Sequence, residues 1–368
     1  MSKYIDAGAR FEYREHQLPG YDAAFKGYGV PYVYLKAKLK NFEVTVGNFY
    51  EQFGSGFVLR TYEERSLGID NSLLGARIVT TPVKGVRLKA LTGQQRRYWA
   101  HNDSWVSGAD VELSLDSWFK GLAQSGTSLT LGGSFVNKNE RNDEDVFNGN
   151  YRLVMPRNVN AWDARVTLNT HGFNVLAEYA QKTADPSFKN NYIYRKSASY
   201  SKKGFSVLAQ AKRSDNFFFN SYRGESLAQS TINHLPAFTM DQTYALAALY
   251  PYGTRLDGEW AYQGQLGYKF KRKTAIGGKY GMMVKVNFSH VRGIDQNPRS
   301  LTVNVPEPTV LTGKGTDGYG SAFWKWGKSG MYYQDLNVQI DRRFTRDFKL
   351  SLMYMNQFYN KTIVEGEG

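Results

Sequence analysis

Apolar and polar residues alternate from Val30 to Gly47, with one short interruption at Lys40 and Asn41. The apolar positions are Val33, Leu35, Ala37 and Leu39 before the interruption and Phe42, Val44 and Val46 after it. A period of two places successive side chains on opposite faces of a β-strand, and a two-residue connection joins antiparallel neighbours. Each arm is about ten residues long, the length that a tilted strand needs to cross a bilayer. The segment is therefore predicted to be a transmembrane β-hairpin.

The same alternation recurs along the chain and predicts about fifteen strands. The tight connections at Lys40, Val83, Thr170 and Lys202 alternate with mostly longer ones at Glu15, Gly54, Arg96, Asn137 and Ser214. Outer-membrane barrels of bacteria join their strands by short turns at one end and by longer loops at the other. The pattern thus predicts an all-β fold, a transmembrane antiparallel β-barrel. The positions predicted to face lipid at mid-bilayer are Val33, Leu35, Leu88, Val111, Val166, Val207 and Val284.

The stretch from Gln242 to Tyr250 breaks this order of turns and loops if it is a strand. Its consecutive alanine and leucine residues favour helix. We therefore expect it to be a helical insert within one long loop from Ser214 to Gly258.

The strand count bears on the ends of the chain. A bacterial single-chain barrel normally has an even number of strands, with both termini on the turn side. Residues 1–368 are therefore expected to be a single outer-membrane barrel domain that lacks at least one strand, most simply beyond Gly368, unless two strands have been counted as one. The first residues, MSKYIDAGARFEYRE, contain no charged segment followed by an apolar one, so an export signal is expected to be absent from this sequence.

Composition agrees with this picture and narrows the alternatives. Aromatic residues make up 15% of the chain, with 26 Tyr and 22 Phe beside 36 Gly, and these types suit strands, interfacial girdles and tight turns. The mean hydropathy is -0.52, and no run of about 18 apolar residues predicts a membrane-spanning helix. The lack of cysteine excludes disulfides and thiolate metal sites.

The net charge of +14 requires an explanation. Its basic residues are spread singly among carboxylates, which does not resemble the clustered patch of a nucleic-acid-binding protein. They fall on the polar strand faces, which should line the lumen. The selectivity residues proposed there are Lys36, Lys38, Arg87, Lys89, Arg165 and Lys285. A basic lumen favours anions; the alternative is that these groups pair with acids and fill the interior.

The loop from Gly54 to Asn71 is the candidate constriction. Three small residues, Gly54, Ser55 and Gly56, bend its backbone, and a cluster of mixed charge follows them. That cluster is Arg60, Tyr62, Glu63, Glu64, Arg65 and Asp70. A loop folded into the lumen needs such opposed charges to satisfy one another. The alternative is a solvated outer loop whose surface ion pairs contribute little.

Catalysis is not predicted. The five histidines are isolated, and none has a second ligand at metal-binding spacing. The neighbours Ser289 and His290 are the one local hint of a hydrolase. We expect no enzyme activity, no catalytic residues, no metal and no cofactor.

The run GNFYEQFGSGFVLRTYEERSLGIDNSLLGARI, Gly47 to Ile78, resembles a Bacteroidota family of predicted outer-membrane β-barrel proteins with no assigned function, and TYALAALYPYGT, Thr243 to Thr254, shares the likeness. The resemblance implies location in the outer membrane of a Gram-negative bacterium, a signal peptide and further C-terminal strands. It implies no reaction and no site residues.

Three kinds of function fit these observations. The first is a pore or uptake channel whose weakly basic lumen favours small anionic solutes. The second is a structural or partner-binding barrel without transport, which would contact an envelope protein. The third is a soluble all-β binding protein, because the strands of a sandwich also alternate. The first two have outer-membrane lipid as a partner, and none involves nucleic acid.

Overall fold

The computed structural model describes residues 4–16, 23–65, 68–141, 146–148, 151–153, 155–183, 185, 191–223, 230–242, 244–255, 258–298, 309–310 and 319–366. Short 3-10 helices lie at Ala23–Phe25, Leu115–Ser117 and Ala245–Ala248, and α-helices lie at Lys120–Gln124 and Lys361–Val364. Within these residues no helix combines the length and the apolar character needed to cross a membrane.

Fifteen strands form one antiparallel sheet, in which each strand pairs with the one that follows it. In chain order they are β1 (Ile5–Arg14), β2 (Gly27–Leu39), β3 (Phe42–Phe49), β4 (Leu73–Thr80), β5 (Val86–Arg97), β6 (Ala100–Ser114), β7 (Ser128–Asn139), β8 (Asn158–Thr170), β9 (Phe173–Lys182), β10 (Asn191–Lys202), β11 (Phe205–Asp215), β12 (Gly258–Phe270), β13 (Met282–Pro298), β14 (Tyr319–Arg343) and β15 (Lys349–Tyr359). The predicted all-β fold and strand count are confirmed.

Shorter ladders lie outside this sheet. Glu63–Glu64 pairs with Ile69–Asp70, and Val146–Asn148, Tyr151–Leu153 and Thr309–Val310 form a three-stranded sheet. In the described part of the chain β1 pairs only with β2 and β15 only with β14, so these two strands are the edges of the main sheet.

The strands are amphipathic, and the outer face is the apolar one. Val33, Leu35 and Val166 are 46%, 53% and 42% exposed although each lies within a strand. The other positions predicted to face lipid are half-exposed and lie on the same face: Leu88, Val111, Val207 and Val284. The opposite face carries buried polar side chains such as Asp110 and Asn287. The sheet therefore has its polar face inside.

The connections differ between the two ends of the sheet, as the sequence predicted. At the turn between β8 and β9, His171 and Gly172 both have positive φ, +46° and +88°, which is the backbone of a two-residue hairpin turn of type I′. The described residues of Gln242–Tyr250 form no strand; they include the 3-10 helix Ala245–Ala248 and belong to the connection between β11 and β12. The placement of this segment as a loop insert is confirmed.

Candidate functional site in the barrel interior

The connection between β3 and β4 folds back onto the inner face of the sheet. We call residues 50–72 the first inner loop. Within it Phe53, Phe57, Val58 and Leu59 are fully buried. The loop is a small hairpin, because the backbone N–H of Phe53 donates to the carbonyl of Leu59 at 3.0 Å. Its bend requires Gly54, which has φ of +52° and lies so close to the wall that a Cβ there would be 2.9 Å from Cδ of Arg165. The loop therefore lies inside the barrel.

A second connection, between β11 and β12, packs onto the first. We call residues 216–257 the second inner loop. Phe217, Phe219 and Ile232 are fully buried in the same apolar cluster as the first loop. The two loops are also joined through their backbones: the N–H of Arg60 donates to the carbonyl of Ile232 at 2.7 Å, and the N–H of His234 donates to that of Gly56 at 2.8 Å. Together the loops form one packed body.

Strands from both edges of the sheet bind this body. Arg10 of β1 contacts Asp70 of the first inner loop at 2.6 Å. At the other edge, the amide of Gln357 in β15 donates to the carbonyl of Tyr250 at 3.0 Å. Midway between them, Ser55 donates to Glu178 of β9. The sheet thus curls around the two loops, which occupy its interior.

Glu51 fixes the start of the first inner loop to the wall. Its carboxylate lies 2.9 Å from Nζ of Lys89 and also accepts from Arg77, which in turn lies 2.7 Å from Glu43. Burial by itself raises the pKa of Glu51, but the hydrogen bonds and charges of Lys89 and Arg77 outweigh burial, so the pKa lies below its usual range. Glu51 is therefore held ionised between two cations.

The predicted selectivity residues are mostly paired. Lys36 and Lys38 lie 3.4 and 3.8 Å from Glu43, and Arg87 lies 3.8 Å from Glu112. Lys285 is exposed and forms no ion pair among the described residues. The predicted excess of cations is thus partly neutralised.

Arg165 is the most enclosed of the predicted selectivity residues. It lies 2.8 Å from Asp163 and 3.3 Å from Glu112, and it also binds Asp110. Its Nη1 donates to the hydroxyl of Ser134 at 2.8 Å. The guanidinium is therefore surrounded by acceptors, and it supports Gly54 of the first inner loop.

The six predicted constriction residues do not form one ring. Asp70 binds Arg10 and, at 2.5 Å, Arg96, while Glu63 lies 2.8 Å from Arg10. The other four are placed differently: Arg60 lies over the ring of Tyr62 at 4.8 Å, and Glu64 and Arg65 are exposed. The ion pairs to β1 and β5 are thus made by the two acids Asp70 and Glu63.

Asp70 is the centre of this network, and sequence reasoning missed its partners on β1 and β5. Burial by itself raises the pKa of the Asp70 carboxyl. The charge of Arg96, the backbone N–H of Ser72, the charge of Arg10 and the hydroxyl of Tyr50 outweigh burial and lower that pKa. The carboxylate therefore stabilises the docked loop in its ionised form.

The turn end of the interior differs from the loop end because neither inner loop fills it. Its inner face, which we call the turn-side vestibule, carries more basic than acidic side chains. The basic ones include Lys36, Lys38, Arg87, Lys269, Lys285, Arg343 and Lys349, and the acidic ones include Asp6, Glu43, Glu112 and Asp341. Most are at least partly exposed. Within the described residues the vestibule is therefore basic.

The structure does not assemble the hydrolase that the sequence hinted at. Ser289 is fully buried on the inner face of β13, whereas His290 points the other way and stacks on the outward-facing Phe288. Neighbouring residues of a strand face opposite sides, so the two side chains cannot form a nucleophile and base pair. Among the described residues no group of three His, Cys, Asp or Glu side chains could hold a metal ion.

Comparison with solved structures gives similar chains among proteins of Pseudomonas aeruginosa. OccK8 (OprE) is 12% identical, with 96% of this chain and 82% of that one covered at a TM-score of 0.49. OpdQ is 10% identical (98% and 83% covered, TM-score 0.45), and OccK2 (OpdF), solved in complex with glucuronate, is 12% identical (90% and 76% covered, TM-score 0.41). No curated protein matches the chain.

A family model, by contrast, covers the whole sequence. It matches residues 1–368 and is described as a family of unknown function, DUF6029. The chain is therefore a member of the DUF6029 family.

Proposed function

We propose that this chain forms a pore in the outer membrane of a Gram-negative bacterium, through which small anionic solutes pass and which the two inner loops narrow. The observation that carries the proposal is the inverted arrangement of the sheet, apolar outside and charged inside. Exposed apolar side chains recur at mid-strand all around the sheet, as in Leu35, Val166 and Leu352, at 53%, 42% and 54%. A soluble protein rarely exposes a continuous apolar surface of this kind.

Aromatic residues at the turn end support a membrane interface. A ladder of rings runs across β9 to β12, with centroids 4.3 Å apart for Phe173 and Tyr200 and 6.4 Å apart for Phe205 and Tyr268. On the loop side, the outward-facing Trp162 of β8 marks the other border of the band. It lies eight residues before Thr170, which pairs with Phe173 and is therefore level with the ladder of rings. Eight residues of a strand tilted by about 40° span about 20 Å, close to the roughly 25 Å of the apolar band of outer-membrane barrels. The rings therefore border a band of membrane thickness.

The preference for anions rests on the turn-side vestibule. Its basic side chains outnumber its acidic ones, and a ring of exposed cations concentrates anions by its field. Deeper in the interior, the basic residues are paired and contribute less. The likeness of Gly47–Ile78 to a Bacteroidota family is the reason for expecting a Gram-negative source of that phylum.

Planar-bilayer recording tests the proposal. We expect a small conductance with a preference for anions that weakens as salt increases. Replacing residues 52–60 by a short Gly-Ser linker should raise the conductance, and Lys38→Glu with Lys285→Glu should weaken or reverse the preference. Lys120→Glu, in the exposed helix Lys120–Gln124 between β6 and β7, is the control and should leave the preference unchanged.

A second function is favoured by the packing of the loops. The buried cluster of Phe53, Phe57, Phe217, Phe219 and Ile232 fills the loop half of the interior, as a permanent plug would. A barrel closed in this way would have a structural or partner-binding role. Absence of conductance both before and after replacement of residues 52–60 would reject the pore and favour this role.

A further inference from the structure

A row of hydrogen-bonded amides crosses the inner face of the sheet from β11 to β14; it starts at the half-buried Gln210 and Gln263, continues through the buried Asn287 and ends at a carboxylate. Nε2 of Gln210 donates to Oε1 of Gln263 at 2.5 Å, and Nε2 of Gln263 donates to Oδ1 of Asn287 at 2.8 Å. Nδ2 of Asn287 then donates to Oδ2 of Asp335 at 3.2 Å. Each amide thus directs its donor towards the next strand, and all of them lead to Asp335.

Asp335 is a buried acid with no basic partner among the described residues. Its side chain is fully buried, and it forms no ion pair with any described Lys, Arg or His. Glu259, which is equally buried, lies 2.9 Å from Nζ of Lys212, and Asp163 lies 2.8 Å from Arg165. A buried carboxylate without a counter-charge is costly, so a positive charge or a proton has to compensate it.

A second acceptor lies beside this carboxylate. Oδ1 of Asp335 and Oδ1 of Asn337 are both buried, and neither has a donor at hydrogen-bond geometry among the described residues. The hydroxyl of Ser289, the cross-strand partner of Asp335, is the one neutral donor that faces this carboxylate besides Asn287 in the described part of the chain. The two residues are two positions apart in β14 and therefore lie on the same face of the sheet. Asn337 is only 1% exposed, and its Nδ2 donates to Oε1 of Gln242 in the second inner loop at 3.3 Å. Two buried acceptor oxygens, one of a carboxylate and one of an amide, thus belong to side chains two positions apart on the inner face of β14.

We propose that Asp335 and Asn337 bind one monovalent metal cation, Na⁺ or K⁺, through their Oδ1 atoms. A single carboxylate supplies one negative charge, which one such cation neutralises, and the neutral amide oxygen is a suitable hard ligand. Ca²⁺ usually collects several carboxylates as well as neutral oxygens, and no second acid lies in this row. The proposal does not depend on whether the lumen conducts.

The site is linked to the second inner loop. A cation on Oδ1 of Asn337 withdraws electron density from the amide and strengthens the hydrogen bond that its Nδ2 donates to Gln242. Cation binding therefore stabilises the docked position of that loop at Gln242, which lies just before the 3-10 helix Ala245–Ala248.

The test compares thermal unfolding of the detergent-solubilised protein in NaCl, KCl and choline chloride at one ionic strength and neutral pH. Choline carries its charge on a nitrogen enclosed by four carbon substituents and cannot be ligated directly by the two oxygens, so only Na⁺ or K⁺ should stabilise. We expect the unfolding midpoint to be higher by about 2 °C or more in the alkali salts and to rise saturably with their concentration. Asp335→Asn should abolish this difference.

Asp341→Asn is the matched control. Asp341 lies on the same face of the same strand, but it is 3.1 Å from Lys349 and partly exposed, so its loss should leave the cation dependence intact. If Asp335→Asn does not fold, the comparison of salts in the unaltered protein still decides, together with broadening of the ²³Na resonance that K⁺ reverses. Equal midpoints in all three salts would overturn the proposal. So would a midpoint that rises on mild acidification without any effect of the cation, because the carboxyl would then be protonated.

Discussion

Truncating Phe57 tests whether the apolar cluster keeps the first inner loop inside the barrel. The ring is fully buried in a cluster with Phe53 and Phe219. Replacing a buried Phe by Ala costs about 3–5 kcal/mol when the surroundings do not collapse. The wall strands keep their own ladders, so this cost falls mainly on docking of the loop. At about 1.4 kcal/mol for each factor of ten, the undocked population should increase between about 100-fold and several thousand-fold.

Hydrogen exchange measures this population directly. The amides of Arg60 and Thr61 are protected by bonds that exist only in the docked loop, to Ile232 and Glu51. Their exchange should accelerate by the factor above in Phe57→Ala. Phe119→Ala, which removes a ring that is 58% exposed in a turn, is the control and should change nothing. Acceleration of less than about tenfold, or an equal effect in both variants, would show that the cluster does not hold the loop.

Three further changes probe the loop network, the outer face and the strand backbone. Folding lowers the pKa of Asp70, so the ionised carboxylate contributes fully to docking of the first inner loop above the unfolded pKa of about 3.9, and this contribution is lost as pH falls further. Hydrogen exchange of the loop amides should therefore accelerate in that acidic range. Asp70→Asn should remove this pH dependence. Val166→Arg on the outer face should cost about 2–4 kcal/mol in urea titrations of vesicle-inserted protein, whereas Gln339→Arg on the inner face should cost clearly less; equal costs would mean that the faces are reversed. Gly47→Ala should destabilise by about 1–3 kcal/mol in the same titration, because Gly47 has φ of +104° and a Cβ would lie 2.2 Å from the carbonyl oxygen of Val33 in the preceding strand, β2. Gly264→Ala, with open space around it, should be neutral.

The strands of the main sheet could be predicted from sequence because the alternation of apolar and polar residues within each strand shows which of its faces is exposed to lipid. Val33 and Leu35 report a lipid-facing side wherever the strand lies, and turns such as His171–Gly172 mark where the chain reverses. Strand ends are harder to predict: β14 extends over 25 residues, Tyr319–Arg343, whereas clear alternation in the sequence is confined to the part around Leu336–Ile340.

The interior was not predictable in the same way. Burial of Phe217 and Ile232 depends on a loop more than 150 residues away in sequence, and the run of three Phe from 217 was the only local signal. The partners of Asp70 lie on β1 and β5, and nothing in the sequence near Asp70 indicates them. Alternation places Asp335 on a polar strand face, but its lack of a basic partner among the described residues is a property of the folded sheet. The sequence therefore predicts the strands of the sheet, whereas the packing of the two inner loops and their ion pairs depends on contacts between distant parts of the chain.

The edge strands β1 and β15 have a consequence for assembly. Since all fourteen pairings of the sheet are antiparallel, its first and fifteenth strands run in the same direction. In two copies inserted into a membrane with the same orientation, all four edge strands run in the same direction, so any two edge strands that meet are parallel. Antiparallel pairing between such copies is geometrically impossible, and antiparallel closure of the sheet takes an odd number of intervening strands, of which one is the smallest. Equally oriented copies therefore cannot extend one another's sheets by antiparallel pairing. Any strand that pairs antiparallel with β1 or with β15 has to run in the direction opposite to both.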